Sequence, residues 1–384
     1  MLISYIIYLI SYILCMLYIG KVYQSVIAKE RRGDYLGKTV QIIPHITDEI
    51  MSRILAVLDK PVNPDHHSNL QSNLHSNLTL PDVCIVELGG TIGDIESMPF
   101  VEAIRQLQLR LGQENLCLIH VSMVPTIGGD TSGGGEQKSK PTQHSVKELR
   151  SLGLQPDFIA CRSTYKLEYN TRNKISLFCN VPINNVLSMY DINNIYHVPL
   201  IMIEQNFHSM LNKRLHLNIP DDVLNSVTAS TSISTSTTAA TITTPTSATT
   251  TTTTAAAVAT RGNGDVINPT STAPSSTSTS LTSSSFYNEW KNMAYKMDEV
   301  SDIVTIAIIG KYTNLGDAYV SIINAIKHSC VATNQKLKLI MIESSLLEQD
   351  SLIESPQSYH DAWARLRSAD GVVVPGGFGE RGKL

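Results

Sequence analysis

From about Ser226 to Ser285 the sequence collapses to Thr, Ser and Ala, and this tract limits what the rest of the chain can fold into. Such a stretch buries too little apolar surface to offset the entropy of ordering its backbone. It predicts a disordered linker with folded regions on either side. Four segments follow: an uncharged apolar segment at 1–20, a first α/β region at 21–225, the linker at 226–285, and a connecting helix with a second α/β region at 286–384. The length of 384 residues suits about two domains of roughly 100–200 residues each. Hydrophobic residues make up 42%, enough to build cores, and the tract accounts for much of the low 17% charged content. A net charge of -4 lacks the basic excess of a nucleic-acid binder, so no nucleic-acid partner is expected.

Met1–Gly20 carries no charge and matches the length that crosses a bilayer. Lys21, Lys29, Arg31 and Arg32 follow, as they would on the inner side of an anchor. A cleaved signal peptide fits less well, because no basic region precedes the apolar run. The competing reading is a gene-model artefact, translated from outside the true coding sequence. That reading is preferred here, so a membrane partner is not expected. The six cysteines form no CxxC pair and stand near no clustered histidines. They predict buried thiols in a reducing, cytoplasmic setting.

Residues 21–60 mix helical and extended patterns, with a helix at Asp48–Leu58 that stops before Pro61. The Asn-rich repeat HSNLQSNLHSNL within 65–80 reads as a surface loop. Val83–Val86 is a short apolar run closed by an acid and two glycines, which suits a buried strand. A helix at Pro99–Leu111, a strand at Leu116–Val124, a flexible loop at Gly128–Gly135, a helix at Ser145–Leu152 and a strand at Asp157–Arg162 follow. Beyond the linker come a helix over 288–300, strands at Val304–Gly310, Lys338–Ile342 and Gly371–Val374, and helices at Asp317–Val331 and Ala362–Arg367. Strands alternating with helices predict an α/β fold: a parallel sheet with helices on both faces.

Two segments carry candidate chemistry in the first region. In VELGGTIGDIES, residues 86–97, Glu87 ends a buried strand and glycines follow it. A carboxylate there can hold Mg²⁺ against a nucleotide phosphate, and glycines let the backbone approach the ligand. Asp94 and Glu96 lie on the next loop, where open α/β sheets bind ligands. An ordinary acidic turn at a strand end has the same pattern. In GEQKSKPTQHSVKEL, residues 135–149, Lys138 and Lys140 stand two apart in a Gly-rich loop that leads to a helix. Pro141 and Thr142 are expected to stiffen the loop, and Gln143 to read a polar edge. Two amines beside free backbone N–H groups make a triphosphate site, although a solvated basic loop reads similarly. RGDYLGKT, residues 32–39, imitates a phosphate-binding P-loop but leaves three residues between its glycines where four are needed, and no strand precedes it. In VVVPGGFGERG, residues 372–382, a strand ending in Pro-Gly-Gly could present N–H groups to an oxyanion, or be a plain glycine turn.

Together, KVYQSVIAKERRGDYLGKTVQIIPHIT, CIVELGGTIGDIESMPFVEAIRQ, GEQKSKPTQHSVKELRSLGLQPD, NKISLFCNVP, VTIAIIGKYTNLGDAYVSIINAIKH and VVVPGGFGERG resemble the CTP synthase family, over almost all of 21–225 and 286–384. The resemblance implies a synthetase domain with a P-loop-like ATPase fold, partial here, and an incomplete class I glutamine amidotransferase domain. It implies ATP-dependent amination of UTP to CTP, with glutamine as nitrogen donor, CTP as inhibitor and GTP as activator. By resemblance, Glu87 matches a Mg²⁺ ligand. Asp94, Ile95 and Glu96 match the CTP-site loop. Lys138, Ser139, Lys140, Pro141, Thr142 and Gln143 match the UTP/CTP triphosphate and base segment, and Lys174 a further nucleotide-contacting lysine. Tyr190, Asp191 and Ile192 fall where the family contacts adenine. Gln41, Glu102 and Arg105 resemble pyrimidine-site residues contributed across a subunit interface of a homo-oligomer, a tetramer in the family. Gly376 and Gly377 resemble the oxyanion-hole and glutamine-contact glycines. The family's P-loop and its glutaminase Cys, His and Glu have no counterpart in this sequence, and Cys330, inside a helix candidate, does not substitute. The resulting expectation is an incomplete, inactive chain. The alternative is a non-catalytic UTP/CTP-binding protein that co-assembles with full-length subunits.

Overall fold

The computed structural model describes residues 19–60, 80–128, 135–220, 224, 254–260, 280–314 and 316–376. The chain divides into two units, the first over 1–193 with 198–280 and the second over 194–197 with 281–384. The expectations for the apolar segment before residue 19, for the SNL repeat and for Gly377 lie outside the described residues.

The first unit opens with α1 (Ile19–Arg32) and α2 (Thr47–Leu58). Val22 and Val26, four apart on α1, are buried against the same core as Ile50, Ile54 and Val57 of α2. Glu49 is buried between Lys29, at 2.5 Å, and Arg53, at 2.8 Å; burial pushes its carboxyl up, but the hydrogen bonds and the charge of these partners outweigh it and leave it below the usual range. The RGDYLGKT stretch is the turn that ends α1. A helix precedes it, which removes the strand-loop-helix geometry of a P-loop.

Strand β1 (Val83–Leu88) leads to α3 (Met98–Leu111), then β2 (Leu116–Met123) and a small hairpin of β3 (Thr126–Ile127) with β4 (Glu136–Gln137). Next come α4 (Lys140–Ser151), β5 (Phe158–Ser163), α5 (Tyr169–Cys179), β6 (Val186–Tyr190), α6 (Val198–Glu204) and α7 (Phe207–Leu215). Alternate residues of each strand enter different cores, as the two-residue period requires. Cys84, Val86, Leu88, Leu116 and Leu118 pack with α1, α2 and α3. Val83, Cys117, Ile119 and Phe158 pack with α7 through Phe207, Met210 and Leu215. Helices therefore cover both faces, as expected.

The linker expectation is corrected at two places, at 254–260 and at 280–285, where a helix has already begun. Thr254–Thr260 forms a strand, β7, in the middle of the first sheet, whose order is β1-β7-β2-β5-β6. It runs antiparallel to both neighbours, with Ala257 opposite Val86 on one side and Leu118 on the other. The sheet is thus parallel among β1, β2, β5 and β6, with a single antiparallel strand inserted. TAAAVAT is the longest apolar run of the tract, and a strand hydrogen-bonded on both sides leaves no backbone group of its ladder unpaired.

In the second unit, α8 (Ser280–Glu299) starts earlier than the sequence pattern predicted. A parallel three-stranded sheet follows, in the order β10 (Gly371–Val373), β8 (Ile303–Gly310), β9 (Lys336–Glu343). Between these strands lie α9 (Val320–Ala332), α10 (Gln349–Glu354) and α11 (Pro356–Arg367). Ala307, Ile342 and Ala362 form its buried centre, with Ile309, Ile340, Leu346 and Leu366 around them.

Candidate functional site

The parallel strands of the first sheet all end on one rim, at Leu88, Met123, Ser163 and Tyr190. Open α/β sheets bind ligands outside the carboxyl ends of their strands. Most sequence-predicted site residues reach that rim. Glu87 comes at the end of β1, Asp94, Ile95 and Glu96 on the loop after it, Lys138 to Gln143 after β2, and Tyr190 to Ile192 after β6.

Lys138 follows the β3–β4 hairpin, and its backbone N–H donates to Pro125 O at 2.9 Å. Its ammonium pairs with Glu136. Lys174, exposed on α5, acts on the same carboxylate, which the Lys138 hydrogen bond and both positive charges hold below its usual range. The hairpin is fastened to the neighbouring loop through Gln137. Its Nε2 donates to Lys166 O at 3.1 Å, and its Oε1 accepts from the Glu168 backbone N–H at 3.0 Å. Gly135 permits this path: a Cβ there would run into the Gly128 carbonyl.

The helix after Lys138 begins sooner than the sequence pattern placed it. Lys140, Pro141, Thr142 and Gln143 form its first turn rather than a stiffened loop, with Pro141 where helices tolerate proline. Lys140 is exposed at the helix start. Gln143 Nε2 donates to Ser139 Oγ at 3.0 Å. Ser139 and Thr142 are buried, so their side chains face the protein.

The 89–97 loop is shaped by Ser97, whose hydroxyl donates to Thr91 O at 3.1 Å and lies 2.9 Å from Asp94 O. Gly93 has φ +100°, and a Cβ there would stand 3.4 Å from the Glu148 side chain of α4. The loop thus lies against the helix that follows Lys138. Asp94, Ile95 and Glu96 are exposed, Ile95 by 86%. Glu87 is exposed too. Among the described residues no three His, Cys, Asp or Glu side chains are placed to hold a metal ion. One exposed carboxylate fits a Mg²⁺ carried on phosphate oxygens, which keeps most of its ligands from outside the protein. It does not fit an all-protein cage.

Tyr190 ends the opposite edge strand, with Asp191 and Ile192 just beyond it, four strand spacings from β1, or about 19 Å. The Asp191 N–H donates to Ser163 O at 3.0 Å. Burial, and then Glu204, raise the Tyr190 hydroxyl pKa. Glu102 and Arg105 are engaged with each other on α3 by two hydrogen bonds, at 2.8 and 2.7 Å. That pairing leaves the Glu102 carboxyl below its usual range. Gln106 extends the pair to Thr47 of α2. Gln41 is exposed before α2, beside half-exposed Ile42 and Ile43. Gly376 follows β10 in the second unit.

Three contributions were missed by sequence reasoning. Glu136 and Gln137 are one. The others are His120 with Ser122 on β2 and Ser145 on α4, described below. The only sequence signal was a pair of polar residues at alternate positions in an otherwise apolar strand. Of the cysteines, Cys84, Cys117, Cys161, Cys179 and Cys330 are buried free thiols, and burial pushes the Cys84 thiol up to about 11. No helix among the described residues is long and apolar enough to cross a membrane.

A family model described as CTP synthase N-terminus matches residues 15–217. A CTP synthase of Dictyostelium discoideum is 41% identical over 367 residues, covering 94% of this chain and 52% of that protein. CTP synthase 2 of Homo sapiens is 40% identical over 365 residues, with 95% and 49% covered. A CTP synthase of Candida glabrata is 40% identical over 363 residues, with 94% and 50% covered. The chain spans about half the length of the curated relatives it matches.

Proposed function

Because the chain belongs to the CTP synthase family, we propose that its first unit binds UTP and CTP for the ATP-dependent amination of UTP to CTP, with glutamine as nitrogen donor. The observation that carries this reading is the Lys138–Glu136 ion pair on an exposed carboxylate at the sheet rim, toward which the charge of Lys174 on a separate element also acts. A triphosphate arriving there would take the place of Glu136 as the lysines' counter-charge, and Lys140 at the helix start adds a third ammonium. Charge-assisted contacts of this kind to phosphate are the stronger sort. Glu87 would supply one carboxylate to a Mg²⁺ on the triphosphate, and the ion, when bound, would offset phosphate charge. Asp94, Ile95 and Glu96 would flank the pyrimidine nucleotide, and Tyr190, Asp191 and Ile192 the adenine of ATP. Gly376 and Gly377 would serve glutamine chemistry in the second unit, with GTP as activator.

A homo-oligomer and a cytoplasmic location belong to the same reading. Gln41, exposed beside Ile42 and Ile43, would join Glu102 and Arg105 as pyrimidine-site residues contributed across a subunit interface.

Calorimetric titration of the purified chain with CTP and with UTP tests the binding half. Synthesis from UTP, ATP and ammonium ion tests the chemical half. Saturable CTP binding that Lys138→Ala weakens about tenfold is the expected result. Heat of dilution alone would sink the reading. Binding without synthesis would favour the non-catalytic, co-assembling alternative.

A further inference from the structure

Strand β2 turns Leu116, Leu118, His120 and Ser122 to one face. The two leucines enter the apolar core. The two polar residues meet α4. His120 Nε2 lies 2.7 Å from Ser145 Oγ. Ser122 Oγ donates to Thr142 Oγ1 at 3.0 Å, and Thr142 Oγ1 donates to Met123 O at 3.3 Å. His120, Ser122 and Thr142 are essentially inaccessible, at 0%, 1% and 0% exposure.

Stability does not account for this choice. Nδ1 of His120 is buried with no hydrogen-bond partner. A leucine at this position would avoid the cost of burying that nitrogen. What an apolar pair cannot do is fix an angle. It tolerates sliding and rotation, whereas a hydrogen bond weakens steeply off its geometry. Here two bonds act at two points, about 7 Å apart along the strand and about 4.5 Å apart along the helix. Such a pair determines both the height and the rotation of α4.

We propose that His120 and Ser122 are positioning residues for the nucleotide segment: through Ser145 and Thr142 they set the rotation of α4, and so where Lys138, Lys140 and Gln143 stand at the rim. The inference rests on the reading of Lys138–Gln143 as a triphosphate segment. His120 acts through the helix and touches no nucleotide.

The test uses the full chain with His120→Leu combined with Ser145→Ala, and separately His120→Gln, whose amide reaches nearly as far as Nε2. Three quantities are read: CTP affinity, thermal midpoint, and hydrogen–deuterium exchange over residues 138–146. Replacing both polar partners by apolar groups is often neutral for stability. The double variant should therefore keep its midpoint, bind CTP about tenfold more weakly and exchange faster over 138–146. His120→Gln should restore most of the affinity. Wild-type affinity with unchanged exchange in the double variant would overturn the proposal. So would an affinity loss that follows the folded fraction and that glutamine does not restore. Should the double variant not fold, Ser122→Ala carries the same measurements with the same outcomes. Absence of CTP binding in the unaltered chain would refute the site reading instead. Exchange alone would then decide: a rise supports the ladder, and no change refutes it.

Discussion

Lys138 already has a carboxylate partner at the rim, and on the proposed reading a triphosphate would displace it. Glu136→Gln removes the competing charge while keeping the shape. It should tighten CTP binding several-fold, read by calorimetry at fixed salt. Equal affinity would mean that the lysine does not contact the phosphates. His120 makes a different prediction. Burial alone lowers its pKa to about 4 from an ordinary 6.5. Between those values the unfolded chain holds a proton that the folded chain does not, so stability rises with pH across that window and levels above it. His120→Gln should reduce the slope of unfolding free energy between pH 4 and 6.5 by about 1.4 kcal/mol per pH unit. Urea midpoints of the two proteins across that window check it, and parallel slopes would show that the ring is protonated in the native state.

At the scale of elements, the segments with a clear period were readable and the others were not. The helix at 47–58 and the strands β2, β5 and β8 appear within a residue or two of where their patterns placed them. On α5, Thr171, Ile175 and Cys179 are buried while Leu177 and Phe178 are exposed, so the apolar pattern points two ways and no helix was read there. Pro141 reads in the sequence as a loop-stiffening residue, yet it sits in the first turn of a helix, where its missing N–H costs nothing. Strand β7 was the least legible. An alanine run carries no alternation, and its place depends on a slot between two strands far away in sequence. Lys138 and Lys140 were found by spacing, whereas Lys174 came only through resemblance and Glu136 through neither. Ala257→Pro tests the strand directly. It removes an N–H from a strand paired on both sides, and it should lower the urea midpoint by about 3 kcal/mol of stability or more. An unchanged midpoint would show that 254–260 lies outside the sheet.

At the scale of the molecule, the two units have separate sheets and separate cores. Scanning calorimetry should therefore resolve two unfolding transitions. CTP at about a hundred times its dissociation constant should stabilise only the first unit, by about 2.7 kcal/mol. A single transition, or one in which both shift together, would show that the units unfold as one.

Strand β7 also bears on how the chain is made. Its two neighbours, β1 and β2, are complete by residue 123, but the strand between them arrives about 130 residues later. At ~5–20 residues per second, a ribosome needs on the order of ten seconds to deliver it. During that time the nascent first unit carries two unpaired strand edges facing an open slot. Unpaired edges of this kind recruit other strands. Holdase capture, or pairing between neighbouring chains on one polysome, is thus in kinetic competition with closure of the sheet, and the timing of synthesis becomes part of what the fold requires.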